Sequence, residues 1–242
     1  MNHVKFIILL SAILVFVSCK KDAAPPSVTI AWKAQNKGVD IIKGGNLKDV
    51  ENRNFNFSAL RFYVNNISLI GVDDVVTQSK SIFLYDLGEN EFDIYYNFPA
   101  GKYKAIRFGL GLDSITNESN PNSFAEDHPL SIEQGMYWDM LKYRFLVMEG
   151  NFDNSEAGTS TPTQPFALHI GTNPMYRTVE IFKSIEITDG NNELDIPFEV
   201  NQILYSSGDT IKLREHYSND SNTPEQLVFG NKLMTNFKNA LE

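Results

Sequence analysis

The chain has 242 residues, 42% of them hydrophobic and 12% aromatic, so it is long enough to bury a sizeable core. Its formal charge of −9 disfavours nucleic acid and anionic lipid surfaces as partners, because both are bound through Lys and Arg side chains that neutralise phosphates. The single cysteine, Cys19, excludes a disulfide within the chain and a metal site built from several thiolates.

Residues 1–18 predict a lipoprotein signal peptide. Lys5 precedes a 13-residue apolar run at residues 6–18, which is shorter than the roughly 20 residues needed to span a bilayer but typical of a secretory signal. The run ends at Cys19 in the sequence FVSC, which resembles a bacterial lipobox. We therefore predict lipidation of Cys19 and an extended tether over residues 19–27, which would anchor the protein to a membrane. The alternative is an ordinary signal peptide with an incidental cysteine.

The residues after Cys19 predict the membrane that holds the anchor. Asp22 is not adjacent to Cys19, so a simple signal for retention in the inner membrane is absent. The run at residues 20–22, Lys-Lys-Asp, is similar to surface-export tags of some Bacteroidetes lipoproteins. We therefore predict an outer-membrane lipoprotein that faces either the periplasm or the cell exterior.

Most of residues 28–242 predict β-strands separated by polar turns. The longest candidate, residues 56–70, changes its apolar parity near Asn65 and Asn66, which indicates a bulge or break. Alternation or apolar runs predict further strands at residues 28–32, 39–42, 81–87, 91–96, 98–112, 135–150, 166–170, 176–188 and 193–200. Polar composition predicts loops at residues 113–127 and 151–165.

One helix is predicted, at the C-terminus. Thr223 is a suitable N-cap, Pro224 occupies the first helical position, and Gln226 completes a capping box. Leu227, Leu233 and Phe237 belong to a single apolar stripe. Nine or ten strands with one helix predict an all-β fold, a single antiparallel β-sandwich with a short C-terminal helix, over residues 28–242.

Three histidines, His128, His169 and His216, are the candidate metal ligands after cleavage. Neutral imidazole without a thiolate suits copper or zinc, and a further soft donor would favour Cu(I). Met136, Met140, Met148 and Met175 lie near the same segments. The alternative is that each histidine is an ordinary hydrogen-bonded residue and each methionine fills the core.

Sequence patterns of known catalytic and cofactor sites are absent. The chain has no Gly-x-Ser-x-Gly, phosphate loop, Gly-x-Gly-x-x-Gly or His-Glu-x-x-His motif. We therefore predict that the protein is not an enzyme and that it holds no organic cofactor.

Several segments, in a fixed order, resemble the MbnP-like family. These are residues 60–69 (LRFYVNNISL), 103–112 (YKAIRFGLGL), 127–131 (DHPLS), 135–138 (GMYW), 166–171 (FALHIG) and 230–237 (GNKLMTNF). The resemblance extends over most of residues 28–238. Members of this family are periplasmic or lipid-anchored proteins named after a partner encoded beside methanobactin genes.

The resemblance implies an all-β protein that binds copper through histidines and a tryptophan oxidised to kynurenine, and a soft donor beside two histidines would favour Cu(I). The residues carried over are His128 and His169 as ligands and Trp138 as the modifiable residue, with His216 as a further ligand candidate. It also implies a dihaem cytochrome c peroxidase-like partner as the oxidant. Many members have a second tryptophan two residues later, where this chain has Met140, and the glycine before Tyr143 is missing.

Two alternatives follow from the residues alone. Trp138 is interpreted as a core aromatic if no metal is bound, because it lies among apolar neighbours at residues 135–150. The whole chain is then a β-sandwich surface module that binds a glycan or a protein partner. That function predicts an exposed patch of aromatic side chains such as Tyr95, Tyr96 or Tyr176.

Overall fold

A computed structural model describes residues 24–88, 98–206, 209–219 and 223–242. Cys19 and the strand predicted at residues 91–96 lie outside the described residues. Among the described residues, no helix is both long enough and apolar enough to span a bilayer.

Most of the strands belong to one large, mainly antiparallel sheet. Its main strands in chain order are β4 (Asn54–Gly71), β7 (Gly101–Leu110), β9 (Lys142–Phe152), β10 (Gln164–Gly171), β11 (Arg177–Ile187) and β15 (Ser218–Asn219). They lie in the order β11-β7-β4-β9-β10-β15. Short strands add to this sheet: β3 (Leu47–Lys48), β5 (Val76–Gln78) and β6 (Ile82–Asp86) pair with β4, and β8 (Tyr137–Trp138) pairs with β9.

A smaller sheet forms the second layer. It contains β1 (Ser27–Asn36), β2 (Val39–Asp40) and β12 (Asn191–Glu199) in the order β12-β1-β2. β1 and β12 run parallel to each other, and so do β10 and β15, whereas the other pairs are antiparallel. The α-helices are α1 (Ser114–Asn117), α2 (Val200–Leu204) and α3 (Pro224–Leu241). β13 (Tyr205–Ser206) and β14 (Asp209–Thr210) pair with each other in a two-stranded ribbon.

Aromatic side chains join the two sheets and α3 into one core. The Phe62 ring of β4 lies 6.2 Å from Trp32 of β1, 5.6 Å from Phe198 of β12 and 4.8 Å from Phe237 of α3, all centroid to centroid. These rings are buried, and burying a large aromatic side chain contributes about 2–3 kcal/mol. The predicted β-sandwich with a C-terminal helix is confirmed.

Two local predictions are also confirmed. The pairing of β4 with β7 shifts register between Asn65 and Ser68, and Asn66 has φ 52°, which produces the bulge. In α3, the Thr223 side chain accepts a hydrogen bond from the Gln226 amide, and Pro224 is the first helical residue.

Residues 111–141, here called the covering segment, connect β7 to β9. Near its start, one carboxylate accepts several hydrogen bonds. The Asp113 carboxylate accepts hydrogen bonds from the Ile115 and Thr116 amides at 3.1 and 2.9 Å and from the Thr116 hydroxyl at 3.0 Å. The Asn65 and Asn66 side chains donate to it at 3.0 and 3.1 Å. Burial acts to raise the pKa of Asp113, but the hydrogen bonds from Thr116, Asn66 and Ile115 outweigh burial and the pKa is lowered.

Replacing Asp113 with asparagine should destabilise the protein by about 2 kcal/mol at neutral pH, because an amide cannot accept all of these hydrogen bonds. The depressed pKa makes this stabilisation present above the unfolded value of 3.8 and lost as the pH falls through the folded pKa. Urea unfolding of the wild type and the variant at pH 7 and at about pH 3 measures the destabilisation and its dependence on pH. Equal destabilisation at the two pH values would contradict the linkage, and Asp139→Asn, at an exposed carboxylate, is the control.

Candidate functional site

Two buried tyrosines fasten the covering segment to the outer face of the large sheet. Tyr63 follows the core residue Phe62 in β4, so its ring points to the face opposite the small sheet. Its hydroxyl donates to the Pro129 carbonyl at 2.8 Å, and the Tyr143 hydroxyl donates to the Leu130 carbonyl at 2.9 Å. Burial raises the pKa of both phenols, so both remain donors at neutral pH. The loop around these two carbonyls therefore has a fixed position over β4 and β9.

Two arginines hold the next part of the same segment. Arg61 of β4 donates through Nη1 to the Gln134 carbonyl at 2.8 Å, and its Nε lies 2.6 Å from Asp86 Oδ2. Arg144 of β9 donates through Nη2 to the Gly135 carbonyl. Burial lowers the pKa of Arg144, while the nearby negative charge of Glu149 raises it. These contacts place β8, which follows Gly135 closely, beside β9 and β10.

His169 lies on the outer face of β10, with 11% of its side chain exposed. Its Nε2 is 2.7 Å from Oε1 of Glu149 on β9. A carboxylate accepts hydrogen bonds, so this contact favours the tautomer with the proton on Nε2. Nδ1 then carries the lone pair, and this atom is buried without a hydrogen-bond partner among the described residues. An imidazole oriented by a carboxylate, with its other nitrogen free, is the arrangement that metal-binding histidines adopt.

Trp138 contacts this histidine. It pairs with Lys142 across the β8–β9 hairpin, and its ring centroid lies 5.8 Å from that of His169, with the planes at 74°. The Arg144 guanidinium lies 5.6 Å from the Trp138 ring centroid. Trp138 is 39% exposed and Met140 is 51% exposed, so the interpretation of Trp138 as a core aromatic is wrong. The two-residue strand β8 leaves the outer side of the tryptophan open to solvent.

A small cavity lies beside His169, at the end of β10. Its volume is about 10 Å³, which accommodates a single atom-sized occupant such as one water molecule. Its lining includes His169, Thr172, the buried Met175 of the 3₁₀ helix at Asn173–Met175, and Gly230 of α3. Thr172 Oγ1 is also buried and lacks a hydrogen-bond partner within the described part of the chain. Two unpaired polar atoms therefore belong to residues that line one cavity.

His128 is held differently. Its ring stacks on Phe124 with centroids 4.4 Å apart and planes at 14°. Its Nδ1 accepts a hydrogen bond from the Leu130 amide at 3.0 Å. That bond uses the free lone pair of a neutral imidazole, so a ligand role for His128 requires the bond to break. The role of His128 as a metal ligand stays a prediction.

His216 lies apart from His169 along the sheet. It is exposed and packs on Phe229 of α3 with ring centroids 5.2 Å apart. It precedes β15, which pairs in parallel with Ala167 and Leu168 of β10, so His216 lies toward the start of β10 while His169 lies near its end. Across residues 24–88, 98–206, 209–219 and 223–242, no three His, Cys, Asp or Glu side chains cluster to form a metal site.

Sequence analysis missed two residues of this site, Glu149 and Thr172. Glu149 lies opposite Ala167, two residues from His169, so its contact with the histidine depends on the β9–β10 register. The sequence feature that could have identified Glu149 is its charged side chain between Met148 and Gly150, which are both buried. Thr172 has φ 75°, an uncommon conformation for a β-branched residue, and no feature of the sequence marks it.

A family model described as MbnP matches residues 26–224. Among solved structures, the chain is similar to MbnP from Methylosinus trichosporium, with 17% identity, coverage of 83% of this chain and 82% of that chain, and a TM-score of 0.48. No curated protein matches the chain. Because the family model covers most of its length, the chain belongs to the MbnP family of methanobactin-associated periplasmic proteins.

Proposed function

We propose that the protein is a lipid-anchored, extracytoplasmic Cu(I)-binding protein that takes up or delivers copper and is not an enzyme. The observation that supports this function most directly is the buried, unpaired Nδ1 of His169, whose ring is oriented by Glu149 and contacted by Trp138. The MbnP family is linked to copper-related function, which favours copper over zinc.

The donor set around His169 fits Cu(I). Neutral imidazole and thioether sulfur are ligands that suit this ion, and it needs fewer ligands than hard cations do. His169 is the proposed ligand from β10, with His128 and His216 as the other candidates. A bound ion would be shielded by the covering segment, whose position Tyr63 and Tyr143 fix.

Trp138 is the proposed site of modification. The family resemblance implies oxidation of a tryptophan to kynurenine, with a dihaem cytochrome c peroxidase-like partner as the oxidant. Trp138 is 39% exposed and in ring contact with His169, whereas Trp32, the other tryptophan, is buried in the core. A partner at the surface could therefore reach Trp138 but not Trp32.

Metal analysis and intact mass of protein purified from the cell envelope test the proposal. We expect bound copper, and a mass change on the peptide that contains Trp138 but not on the one that contains Trp32. Titration with Cu(I) in the presence of a competing chelator then gives the affinity. Cu(I) binding no tighter than micromolar, both in protein with oxidised Trp138 and in protein with unmodified Trp138, would refute the copper function.

The anchor is tested at Cys19. We expect wild-type protein to fractionate with membranes and to incorporate a labelled fatty acid, because a lipidated N-terminal cysteine carries more than one acyl chain. Cys19→Ser should abolish labelling and release the protein from membranes. Labelling that persists in this variant would contradict lipidation at Cys19, since the chain has no other thiol.

A further inference from the structure

We propose that the turn between β4 and β5 is a second membrane contact, which inserts into the bilayer that holds the lipid anchor; this inference rests on the proposed lipidation of Cys19. Three valines at this turn, Val72, Val75 and Val76, are between 49% and 65% exposed. Turns are usually built from small and polar residues, and exposed valines there add nothing to the core. Single exposed apolar residues are ordinary, but three together indicate an interaction surface.

The turn lies at the end of the sheet where the described chain begins. The Val72 amide donates to the Lys102 carbonyl at 3.3 Å, and Lys102 lies opposite Glu186 near the end of β11. Beyond that end, the Gly190 amide donates to the Ala24 carbonyl at 3.1 Å. Neighbouring strands are about 4.8 Å apart, so β4 and β11, which flank β7, are separated by about 10 Å. The valines and Ala24 therefore lie at the same end of the protein.

The length of chain between the anchor and the fold identifies the bilayer as the partner. Five residue steps separate Cys19 from Ala24, and an extended chain advances at most about 3.6 Å per residue. A lipidated Cys19 at the membrane surface would therefore lie within about 18 Å of Ala24. This short connection holds the end of the sheet with the exposed valines against the membrane.

The charges around the turn permit this contact. Asp74 forms an ion pair with Lys104, and Lys102 faces Glu186 across neighbouring strands. Asp73 has no opposing charge, but its Oδ1 accepts a hydrogen bond from a backbone amide of the turn at 3.2 Å. The cations thus offset most of the carboxylates. Headgroups without net charge would not repel the turn.

This contact would also fix the height of the candidate copper site above the membrane. His169 lies opposite Val147, and Val147 lies opposite Arg61 of β4. Because a strand rises about 3.3 Å per residue, Arg61 lies about 30 Å from Val72 along β4. A soluble partner could therefore reach Trp138 while the valines are inserted.

Single engineered cysteines test the inference in lipidated protein reconstituted into vesicles of phosphatidylethanolamine and phosphatidylcholine. Cys19 is the only cysteine and its thiol would carry lipid, so an added cysteine is the only site for a thiol-reactive fluorophore. We expect iodide to quench a fluorophore at Val75→Cys about threefold or more less strongly than one at Ala157→Cys, because the first is inserted. Ala157 is exposed in the loop that follows Phe152, at the opposite end of β4.

Aspartate variants test the native valines without a label on the turn. Energy transfer from a fluorophore at Ala157→Cys to an acceptor in the bilayer reports how far the opposite end stands from the membrane. Val72→Asp combined with Val75→Asp should release the turn, let the protein tilt and raise the transfer. Val39→Asp combined with Ile42→Asp is the matched control, because these residues are equally exposed but lie near the end of β1 remote from Ser27. This control should leave the transfer unchanged.

The outcomes separate this inference from the proposed anchor. Equal iodide quenching at positions 75 and 157 overturns the contact at the turn and leaves the anchor intact. Equal energy transfer in the two aspartate variants has the same consequence. Wild-type protein that does not remain with the vesicles, or whose Cys19 itself reacts with the fluorophore, lacks the lipidated thiol and overturns both.

Discussion

Replacing His169 with alanine will lower the affinity for Cu(I) by about 100-fold or more. Removing an outer-shell partner of a ligand typically costs roughly 10–100-fold, and His169 is proposed to bind the ion itself. Its Nδ1 makes no hydrogen bond to the described residues, so the substitution removes a donor without breaking an internal polar contact of that atom. Competitive titration against a Cu(I) chelator measures the loss, and thermal unfolding verifies that the variant folds.

Three further variants give this experiment its controls. Glu149→Gln keeps the side-chain size but removes the carboxylate that orients His169, and we expect roughly a tenfold loss. His216→Ala tests the ligand role of an exposed histidine that precedes β15, and His128→Ala tests a ring whose Nδ1 is already hydrogen-bonded. Unchanged binding in His169→Ala would exclude the site, even if His128 or His216 proved to matter.

Replacing Gly150 with alanine will destabilise the protein by about 3–4 kcal/mol. Gly150 lies in β9 between β4 and β10, and an added Cβ would be 1.9 Å from the Asn56 carbonyl oxygen. That oxygen belongs to the backbone of a central strand, so the clash cannot be relieved by rotating a side chain. The adjacent register shift between Phe57 and Ala59 is the place where β4 already accommodates this close approach. Equilibrium urea unfolding measures the change.

Gly101→Ala is the matched control for this substitution. Gly101 also lies in a strand of the large sheet, but an added Cβ would meet only the Tyr103 ring at 3.9 Å, an ordinary contact. We expect a change within about 0.5 kcal/mol. Gly150→Ala should also weaken copper binding, because β9 would shift and displace Glu149 from His169. Equal stability of the two variants would contradict the close approach at Gly150.

Features set by neighbouring residues were predictable from the sequence. The bulge at Asn65 and Asn66 follows from a parity change within β4, and the start of α3 follows from Thr223 and Pro224. The parallel pairing of β1 with β12 was not predictable, because alternation specifies a strand and its faces but not its partner. The short helix α2 follows β12 directly and has too few residues to show a period.

The site was predictable only in part, for the same reason. His169 was a candidate ligand from the residues alone, Trp138 was identified through its resemblance to a family segment, and the structure brings their rings into contact. Glu149 was missed, because its role depends on a diagonal contact between two strands. The alternative interpretation of Trp138 as a core aromatic was wrong, since apolar neighbours in sequence do not reveal which side of a two-residue strand is covered.

The parallel pairing of β1 with β12 also determines when an exported chain can finish folding. The first strand pairs over nine residues with a strand that begins at Asn191, and the Ser27 hydroxyl donates to Asn191 Oδ1 across 164 positions. Contacts this distant in sequence raise the contact order and slow folding. While the chain emerges on the far side of the membrane, the apolar residues of β1 have not yet paired with β12. We therefore expect β1 to remain without β12 until residues 191–199 have also crossed.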